Sequence, residues 1–146
     1  MSYTGSQAQS GRGTQISIGA TPTLIGEVSD FPLNRNKWDT ADVTNFQSGS
    51  DSEFIATIRK SATLTIKGNR VSSDAGQVAC ETAYQSGTIS AFTVQLPKTG
   101  AQTTNGDKYT FNALILSLDF AISPTKQVEF SLDLQISGPV TFTAGS

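Results

Sequence analysis

Histidine is absent from the 146-residue sequence, and cysteine, tryptophan and methionine each occur once. Without histidine, the side chain most often used for proton transfer near neutral pH and for metal binding is missing. The single cysteine, Cys80, excludes an intramolecular disulfide and a thiolate metal cluster, and it fits folding in a reducing cytosol. Charge is sparse: 15% of residues are charged, the net charge is -2 and there is no basic cluster, so tight electrostatic gripping of nucleic acid is not expected. The first residues, Met-Ser-Tyr-Thr-Gly-Ser, lack a basic start and an apolar run, and no stretch approaches the roughly 18 apolar residues of a membrane span. The expectation is a chain neither exported by a signal peptide nor inserted in a membrane, with no cofactor, no metal and no catalytic residue. Two carboxylate pairs, Asp39 with Asp42 and Glu129 with Asp133, are the remaining route to acid-base chemistry, and solvated strand or loop positions explain them more simply. Cys80 lies next to Glu81, which does not lower a thiol pKa, so it reads as a packing residue.

What is present is alternation. Val128, Phe130, Leu132, Leu134 and Ile136 alternate with Gln127, Glu129, Ser131, Asp133 and Gln135, the period of a strand with one buried face. The stretch before it repeats the pattern, with Leu114, Leu116, Leu118, Phe120 and Ile122 on one side and Ser117, Asp119 and Ala121 on the other. Ser123-Pro124-Thr125 reverses the chain between them, which predicts a long antiparallel hairpin within Lys108–Phe142, with Ser137-Gly138-Pro139 before Val140-Thr-Phe. Tyr109, Phe111, Ala113 and Ile115 make the first arm apolar on its other face too, so a second cover is expected there.

A chain of this length forms one domain able to bury roughly two thirds of its unfolded surface. Residues 1–12 are expected to be a polar arm that orders only on assembly, and residues 13–146 a single β domain. Gln15–Ile18 and Leu24–Val28 predict strands around the turn former Ala20-Thr21-Pro22, and Ala62–Gly68 and Ile89–Leu96 predict two more. One helix is predicted from Ala75 to about Ser86: Asp74 is the N-cap, Gln77 completes a capping-box pattern and Gly87 supplies the stop. Its packing stripe is expected to be Ala75, Val78, Ala79, Thr82 and Ala83. The fold class is therefore mainly β, an antiparallel β-sandwich or partly closed barrel with one flanking helix and the long C-terminal hairpin. Between Phe31 and Ile58 the alternation fades, leaving an edge strand near Asp39–Thr44 and a plain loop at Gln47–Glu53. Because Trp38, Phe46, Phe54 and Ile55 stud this excursion, they are the candidate residues for packing on another subunit.

Several segments in this order resemble the major tail tube proteins of long, non-contractile-tailed (siphovirus-type) bacteriophages. They are Gly13-Thr-Gln-Ile-Ser-Ile-Gly with Ile25-Gly-Glu-Val, Ala41-Asp-Val-Thr-Asn-Phe followed by Ser52-Glu-Phe-Ile, Asp74-Ala-Gly-Gln, Tyr84-Gln-Ser-Gly, Tyr109-Thr-Phe-Asn-Ala-Leu-Ile and Ile136-Ser-Gly-Pro-Val-Thr-Phe-Thr. The resemblance runs from about Gly13 to Thr143, with departures at Asn34–Asp39 and Pro97–Asp107. It implies a structural virion protein, assembled in the host cytoplasm, whose hexameric rings stack into a tube that DNA passes through without tight binding. It also implies a tape-measure protein inside during assembly and contacts with tail-tip and tail-completion proteins. On that arrangement Ser117, Asp119, Glu129, Ser131 and Asp133 are expected to face the lumen. The alternatives are a carbohydrate-binding or adhesin-like β-sandwich module of a virion and, weaker for want of histidine, a small hydrolase.

Overall fold

The computed structural model describes residues 11–100 and 102–146; most of the expected N-terminal arm thus lies outside the described residues. Strands β1 (Gln15–Ile18), β2 (Thr23–Leu24), β3 (Val28–Asp30), β6 (Thr63–Asn69), β7 (Ile89–Gln95), β8 (Lys108–Ala121) and β9 (Glu129–Thr143) form one antiparallel sheet in the order β2-β1-β7-β8-β9-β6-β3. A separate two-stranded sheet pairs β4 (Lys37–Asp42) with β5 (Phe54–Lys60), and the helix α1 spans Ala75–Ser86.

Connectivity curls the main sheet. β2 and β3 are its opposite edges, yet Leu24 and Val28 are four peptide steps apart, so the two edges approach within about 15 Å. The strand expected over Leu24–Val28 is therefore two strands, divided by Gly26 and by Glu27 at a positive φ of 53°. Of the two architectures expected from sequence, the structure is the partly closed barrel. Its concave face holds the core: Ile16, Ile18, Leu64, Ile66, Phe92, Val94, Phe111, Ala113, Ile115 and alternate residues from Phe130 to Ile136 are all buried.

The C-terminal hairpin is present, with two irregularities. At the first, Ile115 pairs with Leu134 and Ser117 with Asp133, which leaves Leu116 as an extra, half-exposed residue. A bulge of this kind reverses the phase of the strand. Before it Phe111, Ala113 and Ile115 face the core; after it Leu118 packs against the core opposite Leu132, and Phe120, on the same side opposite Phe130, is exposed. The expectation that Leu114 and Leu116 join the core, with Phe111, Ala113 and Ile115 on a second face needing its own cover, is corrected: one core face changes phase midway. Ile122 lies beyond the strand and is largely exposed. At the second irregularity β9 bulges through Gly138–Val140, since Asn112 pairs with Ser137 and Thr110 with Thr141. Gly138, at φ 89°, supplies the left-handed turn of the bulge.

The helix matches its predicted ends, and its Asp74 cap accepts from Gln77 N at 3.0 Å. Its buried face differs from the expected stripe, since Gly76, Gln77, Cys80 and Ala83 point inward while Ala75, Val78 and Thr82 are exposed. Gln77 is the reason. Its side chain does not close a capping box; Oε1 accepts from Val71 N at 2.9 Å, and Nε2 donates to Asn69 O at 2.9 Å and Gly26 O at 3.0 Å. Asp74 adds a bond from Gly26 N at 3.0 Å. The helix start thereby clamps the β2–β3 crossing to the end of β6. Cys80 packs against this region, and burial, aided by the Asp74 carboxylate, pushes its thiol up to about 12.

Candidate functional site

Among the described residues, two surfaces are left without cover: the convex face of the main sheet, and the β4–β5 arm.

On the convex face, strand pairing brings the five expected lumen residues together. Ser117 faces Asp133, Asp119 faces Ser131, and Glu129 lies two residues further along opposite Ala121. Asp133 is held by Thr65 Oγ1 at 2.7 Å and Ser117 Oγ at 2.9 Å. The pairing of β6 with β9 also lays Thr65, Lys67 and Asn69 against Asp133, Ser131 and Glu129. Lys67 thus enters an acidic row that, read along the hairpin alone, holds no cation. Farther along the same face two rows are neutral, Ala91 with Asn112 and Ser137, then Ser17 with Thr93, Thr110 and Thr141, and the next sets Lys108 among Gln15, Gln95 and Thr143. These partners from β1, β6 and β7 are not evident in the sequence of the hairpin, because sheet neighbours such as Thr65 and Asp133 are 68 positions apart.

Neither carboxylate pair is built for catalysis. Glu129 and Asp133 are four residues apart on one strand, about 13 Å, beyond the spacing at which two carboxyls act on one bond. Asp39 and Asp42 are three apart on β4 and so point to opposite faces. Asp39 pairs with Lys60 at 3.2 Å, while Asp42 is held below its ordinary pKa by interaction with the Thr44 hydroxyl and amide. Among the described residues no group of three or more His, Cys, Asp or Glu side chains could hold a metal ion, and no helix is long and apolar enough to cross a membrane.

The second surface corrects the sequence reading of the Asp39–Ile58 excursion. The expected edge strand plus loop is a two-stranded arm, with every residue of β5 exposed. With no face buried, β5 has no hydrophobic alternation to read. At its root Asn36 Nδ2 donates to Gly138 O at 2.8 Å, Asn36 Oδ1 accepts from Ala62 N at 3.2 Å, and Asn34 Nδ2 donates to Thr63 O at 2.9 Å. All four expected interface residues lie on it: Trp38, Phe54 and Ile55 are more than half exposed and Phe46 is fully so. Val43 and Ile58 extend the apolar surface. An isolated two-stranded hairpin is marginal in water, and covering each large apolar side chain is worth roughly 1.5–3 kcal/mol. The arm has the composition of a contact surface.

A convex polar sheet face, an exposed apolar arm and an uninterrupted curled sheet are the setting for the comparison with known families. The family model described as phage tail tube protein matches residues 29–142. This chain belongs to the phage tail tube protein family. As a tail tube protein it is a structural component of the virion tail. No curated protein sequence matches it. Among solved structures, the fold is similar to a chain of the virion of a native gene transfer agent particle, with a TM-score of 0.74 and 22% identity over 94% of this chain and 100% of that one. The SPP1 tail tube is similar at a TM-score of 0.70 and 18% identity, over 95% of this chain and 80% of that one. A chain of the anti-feeding prophage cap, at 10% identity, reaches 0.72 over 99% and 97%.

Proposed function

We propose that this tail tube protein works as a six-membered ring, stacked on further rings, whose bore is lined by the convex face of the main sheet. The ring size is supported by the gene transfer agent tail, refined with C6 symmetry, whose chain shares this fold at a TM-score of 0.73. The bore then carries a neutral band of Ser, Thr, Asn and Gln and a band of acids at the β8–β9 tip around Asp119, Glu129 and Asp133. A wall of this kind makes few cationic contacts with phosphate, so DNA slides without being held. The chain performs no catalysis in this role. Residues 13–146 act as one unit, residues 1–12 order against neighbouring copies, and the tape-measure, tail-tip and tail-completion proteins meet the bore and the ends of the tube.

The observation that carries the reading is the arm, an element whose apolar residues have no cover from the described residues of one copy. The test replaces Phe46–Glu53 with a short Gly-Ser linker and compares the two proteins by size-exclusion chromatography and negative-stain microscopy. The parent should form rings or tubes, and the variant should stay folded and fail to polymerise. Tubes of normal diameter from the variant, or only monomers from the parent at any concentration, would reject the proposal.

A further inference from the structure

The arm is electrically polarised along its length. At its root, Arg35 lies over the Tyr109 ring at 5.4 Å and Arg59 over the Trp38 ring at 5.1 Å. Arg35, Trp38 and Arg59, together with Asn36 and Val140, line a cleft of about 270 Å³. At the far end, Val43 N donates to Glu53 O at 2.9 Å, and beyond that pair lie Phe46 and Asp51. Among the described residues, neither the carboxylates of Asp51 and Glu53 nor the guanidinium groups of Arg35 and Arg59 form an ion pair. The tip cannot reach the cleft of its own copy, because the five residue steps from Trp38 to Val43 run along an extended hairpin for about 17 Å.

We infer that the arm tip of one copy docks in the Arg35–Arg59 cleft of a second copy, Phe46 entering against Trp38 and Val140 while Asp51 and Glu53 meet the two guanidinium groups. The occupant follows from complementarity: the cleft offers an apolar floor between two stacked cations, and the tip offers an aromatic ring beside two free acids. Arginine held flat on an aromatic ring keeps its N–H fork open for a carboxylate. The contact joins different patches on the two copies, so it propagates around a ring or along a stack instead of ending at a pair. The inference rests on the tube reading and names the contact that holds the tube together.

Charge exchange tests it. Arg59→Glu should raise the protein concentration needed for tubes by about tenfold or more, and Glu53→Arg should do the same, since opposed like charges at a contact are strongly unfavourable. Arg59→Glu combined with Glu53→Arg should bring assembly back towards the parent level. Arg59 and Glu53 are both exposed, so circular dichroism of the variants should match the parent. Trp38 is the only tryptophan and is 54% exposed; on assembly its emission should move to shorter wavelength and resist acrylamide quenching. Parent tubes with unaltered assembly of Arg59→Glu, or no recovery in the double exchange, would overturn this contact and leave the tube reading standing. A blue shift of Trp38 on adding a single-stranded oligonucleotide to the monomer would assign the cleft to nucleic acid and overturn it as well. Absence of tubes from the parent would reject both readings.

Discussion

At the scale of single residues, Gln77 and Cys80 show how little of a side chain's role follows from its hydrophobicity. Gln77 is 3% exposed and makes three hydrogen bonds to backbone groups of residues far apart in the fold. Gln77→Leu keeps the volume but orphans Val71 N, Gly26 O and Asn69 O, each costing about 1–3 kcal/mol when buried. A urea titration should show a loss of roughly 3 kcal/mol or more, and a loss below 1 kcal/mol would show that the clamp is dispensable. For Cys80 the sign of the pH effect follows from its thiol, which ionises near 9.0 when exposed and at about 12 when folded. Below 9 both states hold the proton and the contribution is complete; above 9 the unfolded chain releases its proton first, and stability drains away up to about 12. The stability difference between the parent and Cys80→Ala should therefore shrink as pH rises from 8 to 11. A difference constant across that range would contradict the burial.

At the scale of elements, legibility depended on whether one face of the element is buried. β6, β7 and β9 show the alternation expected of strands on a core, and Leu64, Ile66, Phe92, Val94 and Leu132 lie where it puts them. The helix was marked by its cap and stop residues. Its buried face was not legible, because a satisfied amide at Gln77 and the side-chain-free Gly76, against the backbone at Leu24 and Ile25, occupy positions a hydrophobic stripe assigns elsewhere. β5 was invisible for the opposite reason, with all seven of its residues exposed. β8 misled because a single extra residue, Leu116, exchanges its faces. That reversal predicts a sharp contrast between neighbours. Ile115→Ala should cost about 2–5 kcal/mol as a cavity in the core, whereas Leu116→Ala should cost under about 1 kcal/mol. Equal losses in thermal or urea unfolding would place the bulge elsewhere. The candidate site was half legible on the same grounds: the two arms of one hairpin can be aligned by eye, while Lys67 arrives from a strand distant in sequence.

At the scale of the whole molecule, the proposed bore turns local charge into a repeated field. Each acid at the β8–β9 tip recurs at one height in every copy of a ring, so charges of small individual effect sum around the axis, within a screening length of about 10 Å at moderate salt. Asp119→Lys with Glu129→Lys reverses the exposed acids and spares Asp133, whose carboxylate serves Thr65 and Ser117. Tubes of normal diameter should still form, but DNA release through them should slow, most at low salt. Release at the parental rate in tubes carrying both lysines would remove the lumen assignment. The strand order carries one more consequence, for synthesis. β8 and β9 join β2-β1-β7 on one side to β6-β3 on the other, and they follow all of these strands in the chain. While residues up to about 107 emerge from the ribosome, the nascent chain holds two strips of sheet with nothing to bridge them. At roughly 5–20 residues per second the bridging hairpin follows a few seconds later. Until then the apolar faces of both strips stay open to chaperones, and the sheet closes only after β8 and β9 have been translated.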